Sequence, residues 1–157
     1  MGFIDRLASV SIKTEGNKPL LLTDSKVWLV KEGKVDLFIT RTVNEESVGS
    51  RNYLLTVDKG EIFCGLKPIK AEDEDYALLA VGRTDTSLLE FNRHEFTRTK
   101  TKPERDEMVG FFKEWIKKWQ DLGLKENGEF DWDKDFEPEK LMEYNSLLFA
   151  EGLTRML

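Results

Sequence analysis

Polar and apolar residues alternate along much of the first hundred positions of the chain. The spacing is clearest in two sets of apolar residues, Val35, Leu37 and Ile39, and then Tyr53, Leu55 and Val57. A period of two is typical of a strand with one buried face and one face in water. Positions 76–81 are nearly all apolar, which predicts a strand buried on both faces.

Turn residues separate these segments. Glu32-Gly33 is typical of a hairpin tip, the polar stretch 44–50 predicts a loop, and Gly16-Asn17 predicts a turn. Seven or eight short strands divided in this way predict a mainly β fold, an antiparallel β-roll or sandwich of the jelly-roll type. Strands do not alternate with helices here, which argues against a nucleotide-binding α/β sheet.

Helical spacing appears at both ends of the chain. A short amphipathic helix is predicted at the start by four apolar residues, Phe3, Ile4, Leu7 and Val10. A charged linker follows Thr97, and its Pro103 suits the first turn of a helix. A last helix is predicted from Pro138 towards Met156. We therefore expect a β-roll domain at 1–98 and a helical C-terminal extension at 99–157.

The helix that follows the linker carries an aromatic stripe. Its apolar residues recur at spacings of four, three, four and three: Met108, Phe112, Trp115, Trp119 and Leu122. The stripe predicts a strongly amphipathic helix that ends near Gly123. One interpretation is packing of this stripe on the roll. The other is an interface with a partner or a second copy through Met108, Phe112, Trp115 and Trp119, because the aromatic area exceeds what a small roll covers.

Length and charge narrow the classes of function. A chain of 157 residues suits one domain with a real core. The net charge of −6 disfavours nucleic acid and anionic membrane surfaces as partners. No apolar run approaches the ~20 residues of a membrane span, so no direct membrane insertion is expected. Cys64 is the only cysteine, which excludes an intrachain disulfide and fits a reducing, cytoplasmic setting.

Candidate catalytic and metal-binding groups are few. His94 is the only histidine, whereas metal sites in β-rolls usually take two or three. Asp131, Asp133 and Asp135 have the spacing of a calcium loop, but Phe136 stands where that loop needs glycine. The serines have no histidine partner except His94. The sequence therefore predicts no catalytic residue, metal or cofactor, and a protein that is not an enzyme.

Three phrases of the sequence resemble a known family. VWLVKEGKVDLFI, YLLTVDKGEIFCGL and ALLAVGRTDTSLLEF are similar to the cyclic-nucleotide-binding-like fold, in the version found at the N-terminus of NHLM-type bacteriocin (peptide) ABC exporters. The resemblance covers about residues 18–96. It implies a β-roll followed by helices, of which the first often mediates dimer contacts.

The same resemblance implies a function and partners. It implies a non-enzymatic regulatory or interaction domain of a peptide exporter, on the cytosolic face of the inner membrane. The implied partners are a second copy or the transporter body, reached through the C-terminal helices, and peptide cargo. A membrane region and an ATPase follow the roll in such exporters. The alternative is a sensor of a small ligand or a cyclic nucleotide.

The cyclic-nucleotide cassette of the family is only partly matched here. Binders read approximately Gly-Asp/Glu-x-Phe/Ile-Gly-Glu-Leu and later Arg-Ser/Thr-Ala. The matching or aligned positions give a candidate ligand site: Gly60, Glu61, Phe63, Gly65, Leu66, Asp75 and Ala77. Gly65 stands where the ribose-binding glutamate is expected, and Asp75 stands where an arginine would pair with the cyclic phosphate.

The charge at this cassette is therefore reversed. Asp75 repels a phosphate, and the neighbouring acidic residues of the polar connection 67–74 add to that field. Arg83 is a candidate for replacing the missing arginine, but it lies beyond the strand. We expect the cassette to be degenerate for cyclic nucleotides, so that a sensor of this kind would take a neutral or cationic ligand.

Overall fold

The computed structural model describes residues 2–14, 18–23, 25–98, 100–124, 128–133 and 136–157. Its strands are β1 (Val10–Lys13), β2 (Leu20–Leu21), β3 (Lys26–Glu32), β4 (Lys34–Val43), β5 (Glu46–Asp58), β6 (Ile62–Cys64), β7 (Ile69–Ala71), β8 (Glu74–Gly82) and β9 (Ser87–Asn92). Its helices are a short 3-10 helix (Phe3–Arg6), α1 (Arg93–Thr97), α2 (Lys102–Gln120) and α3 (Pro138–Met156). The turn expected at Gly16-Asn17 and the Asp135 end of the calcium-like spacing lie outside the described residues.

The strands form two antiparallel sheets. One is four-stranded in the order β1-β9-β3-β6, and the other is five-stranded in the order β2-β8-β4-β5, with β7 joined to β8. Val35, Leu37 and Ile39 of β4 are fully buried, as their alternation predicted. β8 buries four consecutive residues, 77–80, which confirms a strand covered on both faces. The predicted antiparallel β-roll with C-terminal helices is confirmed.

The loop predicted at 44–50 is wrong, because β5 already begins at Glu46. Asn44 and Glu45 alone make the turn, with φ angles of 52° and 65°, and Val43 pairs with Glu46 across it. Positive φ at both turn residues matches the twist of a two-residue hairpin. This end of the hairpin is polar because it extends beyond the core and is largely exposed. Its composition therefore imitates that of a loop.

The helix predicted at the N-terminus is only partly correct. The helical part is limited to Phe3–Arg6, and Val10 lies in β1, where it is 59% exposed and pairs with Glu90 of β9. Phe3 holds the segment on the roll, since its buried ring meets that of Phe96 edge-on at 5.1 Å. A helix this short is marginal in water, so pairing with β9 prevails over the helical spacing.

α2 begins with a capping box. The Thr101 hydroxyl accepts the backbone N–H of Glu104, and the Glu104 carboxylate accepts the N–H of Thr101. Pro103 lies in the first turn, as predicted. Gly123 follows the helix end with a φ of 84°, a conformation that favours glycine. Leu122 lies outside the helix and is 40% exposed. The last buried residue of the stripe is therefore Trp119, not Leu122.

The four residues considered for a partner interface are almost fully buried within the chain: Met108 (2%), Phe112 (0%), Trp115 (1%) and Trp119 (0%). Their cover comes partly from α3. Trp115 Nε1 donates a 2.7 Å hydrogen bond to Asn145 Oδ1, and the rings of Trp119 and Phe149 lie 6.2 Å apart. This corrects the interface interpretation, because these side chains have no surface left for a partner. The alternative, packing within the chain, describes them.

The buried side chains of the roll and of the helices form one contiguous hydrophobic cluster. The domain boundary between 98 and 99 stays a prediction. Within the described part of the chain, none of the helices combines the length and the apolar character that crossing a membrane requires.

Candidate functional site

The first cassette residues lie in the turn before β6. Gly60 has a φ of 85°, and its N–H donates to the Val30 carbonyl at 2.8 Å. Glu61 uses its carboxylate within the fold: Oε1 accepts the Asp58 N–H at 2.7 Å and the Lys118 ammonium at 2.9 Å. Glu61 therefore joins the turn to α2. Its carboxylate is committed to contacts inside the chain.

The middle of the cassette belongs to the core. Phe63 is fully buried and stacks on Trp28, with ring centroids 5.3 Å apart. Leu66 is 3% exposed, and its N–H donates to the Leu22 carbonyl at 3.1 Å. The N–H of Gly65 donates to the Lys26 carbonyl at 3.0 Å. The segment is thus hydrogen-bonded to β3 and to the residue that follows β2, and Phe63 and Leu66 act as packing residues.

The end of the cassette is a β-hairpin, so the predicted polar connection at 67–74 is corrected to a short strand, β7, and the start of β8. Glu72 and Asp73 form its turn, with φ angles of 51° and 63°. Asp75 is exposed on β8, opposite Lys70 of β7, and Ala77 is fully buried. The tip of this hairpin presents carboxylates to solvent.

The arginine nearest to this tip is already paired. Arg41 Nη1 lies 3.2 Å from Glu74 Oε1 and 3.3 Å from Oε2. The carbonyl of Asp75 accepts the Thr42 hydroxyl at 3.4 Å. A phosphate at the cassette would therefore meet Asp75 and compete with Glu74 for its cation.

Arg83 does not replace the missing arginine. Its Nε and Nη2 donate to the two carboxylate oxygens of Asp36 on β4 at 3.1 and 2.9 Å. The Thr56 hydroxyl donates to the same carboxylate at 2.7 Å. Chiefly through the Arg83 hydrogen bonds, and against a smaller opposing effect of burial, the pKa of Asp36 is lowered from its ordinary value. This bidentate pair fixes Arg83 to the outside of β4.

The Asp36–Arg83 pair predicts a pH-dependent contribution to stability. A lowered pKa in the folded state means that the contribution is present above the ordinary carboxyl pKa of 3.8 and is lost as the pH falls through the folded pKa. We expect Arg83→Gln to lower the free energy of unfolding slightly at pH 7, since Arg83 is half exposed. The difference in the free energy of unfolding between Arg83→Gln and the unsubstituted protein should disappear in acid, as the pH falls below 3.8.

Urea unfolding at pH 7 and under acid conditions measures this gap. Arg51→Gln, which removes an exposed arginine of β5, is the matched control and should show no such pH dependence. A gap that stays constant into acid would contradict the role of Asp36.

A cleft lies beside the cassette, between the roll and α3. It consists of two adjoining cavities of about 460 and 550 Å³ that share Arg93 and Glu139. The smaller cavity lies at the corner between β9, α1 and the start of α3. The larger is bounded by 65–67 on the roll and by one face of α3. Among the predicted site residues, the structure brings Gly65 and Leu66 into this cleft.

The remaining cleft residues were missed because they come from separate segments. Arg93 starts α1, Lys67 follows the cassette, and Glu139 and Glu143 lie one helical turn apart on α3. Spacing places Glu139 and Glu143 on one helix face. No pattern along the sequence indicates that this face meets the cassette.

The thiol and imidazole of the chain give no catalytic pair. Cys64 is buried, and this burial raises the pKa of its thiol, against a smaller opposing effect of the Arg93 charge. His94 is exposed and lines the smaller cavity. Within the described ranges, no three His, Cys, Asp or Glu residues are placed to hold a metal ion.

No family model and no curated protein matches the chain. Among solved structures, it is similar to the catabolite activator protein of Thermus thermophilus, with 23% identity over 74% of this chain and a TM-score of 0.46. It is also similar to a CooA mutant from Carboxydothermus hydrogenoformans (16% identity, 76% of this chain, TM-score 0.48) and to FixK2 from Bradyrhizobium japonicum (15%, 75%, 0.50).

The chain spans 53%, 72% and 57% of the lengths of those three proteins, respectively. At such identities the likeness concerns the fold alone. The likeness to FixK2, together with the two antiparallel sheets and the helices that follow them, defines the class of the fold. The fold is the cyclic-nucleotide-binding-like β-roll.

Proposed function

We propose that the chain is a non-enzymatic regulatory or interaction domain whose cassette does not take a cyclic nucleotide. The proposal depends on one observation: the cassette carries an acidic residue where a cation is expected, and the arginines near it are paired with carboxylates. Asp75 stands where the resemblance implies a phosphate-binding arginine, and the nearby Arg41 and Arg83 are each paired with a carboxylate. A cyclic phosphate at this position would face the Asp75 carboxylate, and both nearby arginines would first have to leave their carboxylate partners.

The finer proposal is that this domain serves a peptide exporter of the bacteriocin type, at the cytosolic face of its membrane. It is supported by the similarity of the three sequence phrases. With the α2 stripe buried, contact with a second copy or with the transporter body would use the outer surfaces of α2 and α3. The coding sequence beyond Leu157 tests this: a membrane region and an ATPase would agree, and an unrelated domain would contradict it.

Calorimetry with cyclic AMP tests the proposal about the cassette. We expect no saturable heat at ligand concentrations of about 1 mM. This result would mean that the binding free energy is less favourable than about −4 kcal/mol. Asp75→Arg is the companion variant, because it restores the expected sign at one position while Glu74 remains on Arg41. Saturable binding of cyclic AMP by the unsubstituted protein would refute the proposal.

The second candidate is a small-ligand sensor, and the cleft beside α3 is the observation that favours it. Its cavities fall in the size range of small-molecule sites, and polar and apolar residues both line it. It lies against the cassette but outside the roll. A ligand there would touch the roll and α3 together, so binding would be coupled to the position of the helix.

A further inference from the structure

We propose that the cleft between the roll and α3 binds a zwitterion with an apolar middle, such as a short apolar peptide with both termini free. This inference rests on the sensor candidate and names the class of its ligand. Three properties of the cleft support it: the opposite charges of its walls, the absence of pairing between them, and the apolar surface between the charges.

The two walls carry opposite charge. Lys67 and Arg93 contribute cations from the roll side, and Glu139 and Glu143 contribute carboxylates from α3. A wall with two carboxylates disfavours a polyanion such as a nucleotide, and a wall with two cations disfavours a simple amine. A molecule that presents a carboxylate to one wall and an ammonium to the other satisfies both.

These four side chains are available. Among the described residues, none of the four makes a side-chain hydrogen bond or ion pair, although other charged residues of the roll are paired. No side-chain nitrogen of Lys67 or Arg93 lies within 4.0 Å of a carboxylate oxygen of Glu139 or Glu143. The half-buried guanidinium of Arg93 lies where both cavities meet, and its planar fork suits a carboxylate.

The surface between the charges is apolar. Leu66 belongs to the roll wall, and Met142 and Leu147 belong to the α3 wall. Leu147 is 50% exposed, so part of its side chain is open to an apolar group of a ligand. Apolar side chains of a peptide would cover it and gain burial free energy there. The adjoining cavities give room for more than a single amino acid.

The test is calorimetry of the full chain with the tripeptide Leu-Ala-Leu, its N-acetylated form and its C-amidated form. We expect saturable one-site binding of the free tripeptide. Each blocked form should bind about tenfold more weakly, because each loses one charge-assisted hydrogen-bonding group. Absence of binding of the free tripeptide, or equal affinity of all three forms, would overturn the inference.

Two variants assign the walls. Arg93→Gln should weaken the free tripeptide about tenfold, and amidation should then have no further effect. The double variant Glu139→Gln/Glu143→Gln should also weaken binding of the free tripeptide about tenfold, and acetylation of the peptide should then have no further effect. Arg51→Gln and Glu46→Gln, at exposed positions of β5 outside the cleft, are the matched controls and should leave affinity unchanged. Binding that ignores both wall variants would place the ligand elsewhere and overturn the inference.

Leu147→Glu separates this inference from the sensor candidate. It adds a charge to the apolar wall at an exposed position, where the fold tolerates it. If all three peptides bind equally and Leu147→Glu abolishes that binding, the cleft is a ligand site but the zwitterion inference fails. If Leu147→Glu leaves binding of the free tripeptide unchanged, both the cleft site and the inference are overturned. Far-ultraviolet circular dichroism verifies that each variant is folded.

Discussion

Replacing Trp115 by alanine is expected to lower the free energy of unfolding by about 3–5 kcal/mol. The Trp115 ring is 1% exposed and meets the ring of Trp119 edge-on, with centroids 5.6 Å apart. Its indole N–H donates to Asn145 Oδ1 in a buried environment. Alanine would leave a large cavity between α2 and α3 and an amide without its donor, and both effects destabilise.

Urea unfolding followed by circular dichroism measures this loss. Trp115→Phe keeps most of the ring volume and removes only the donor, so we expect about 1–3 kcal/mol. Leu122→Ala is the control for truncation of an exposed apolar residue near the same helix end, and it should stay within about 0.5 kcal/mol. A folded, fully stable Trp115→Ala whose molecular mass falls in light scattering would instead support the partner interface.

The α2 stripe shows what periodicity determines and what it leaves open. The recurrence of Met108, Phe112, Trp115 and Trp119 correctly predicts a helix with one apolar face. It carries no information on what covers that face. Part of the cover is α3, whose Asn145 lies 30 residues beyond Trp115 and pairs with it. A tertiary contact of this kind has no signature in local spacing, so the sequence left both the packing interpretation and the interface interpretation open.

The strands were predictable for a different reason. Val35, Leu37 and Ile39 alternate because the roll has an inside and an outside, and this physical difference acts on each strand separately. The signal fails where the inside ends. Near Asn44 both faces of the β4–β5 hairpin meet water, so its polar composition resembles that of a loop. Hydrogen bonding between the strands, which composition does not record, maintains the hairpin there.

The candidate site likewise has a part that the sequence could predict and a part that it could not. Asp75 in place of an arginine was visible in the sequence because the cassette is a contiguous segment, and the structure places it exposed at an acidic hairpin. The cleft was not visible. Arg93 and Glu139 come together only because α3 returns to the corner after β9. Nor does the sequence show that Glu61, a cassette residue by its position, is bound to α2.

Replacing Lys118 by methionine is expected to lower the free energy of unfolding by about 1.5–3 kcal/mol. The Lys118 ammonium lies 2.9 Å from Glu61 Oε1 and donates to the Thr56 carbonyl at 2.9 Å, while its side chain is 20% exposed. Methionine keeps the apolar stem but removes the cation from the Glu61 carboxylate, which keeps only the Asp58 N–H, and removes a donor from the Thr56 carbonyl. Removing one partner of a largely covered pair costs more than the pair itself contributes, because the other charge stays unpaired.

A double-mutant cycle assigns this loss to the pair. Glu61→Gln alone should also destabilise, and Lys118→Met/Glu61→Gln should destabilise by less than the sum of the two single changes. Lys117→Met is the matched control. Lys117 is the neighbouring residue on α2 and pairs with Asp121, in an arrangement where both side chains are largely exposed. Its removal should have a much smaller effect than that of Lys118.

The cycle also decides the role of Glu61. If Glu61 holds the β5–β6 turn against α2, Glu61→Gln changes stability and leaves peptide affinity at the cleft unchanged, because Glu61 does not line the cleft. If Glu61 instead contacts ligand in the way its position in the cassette implies, the substitution changes affinity with little change in the free energy of unfolding. Additive single changes in the cycle would contradict the fold contact, since two groups 2.9 Å apart must couple if that contact stabilises the native state.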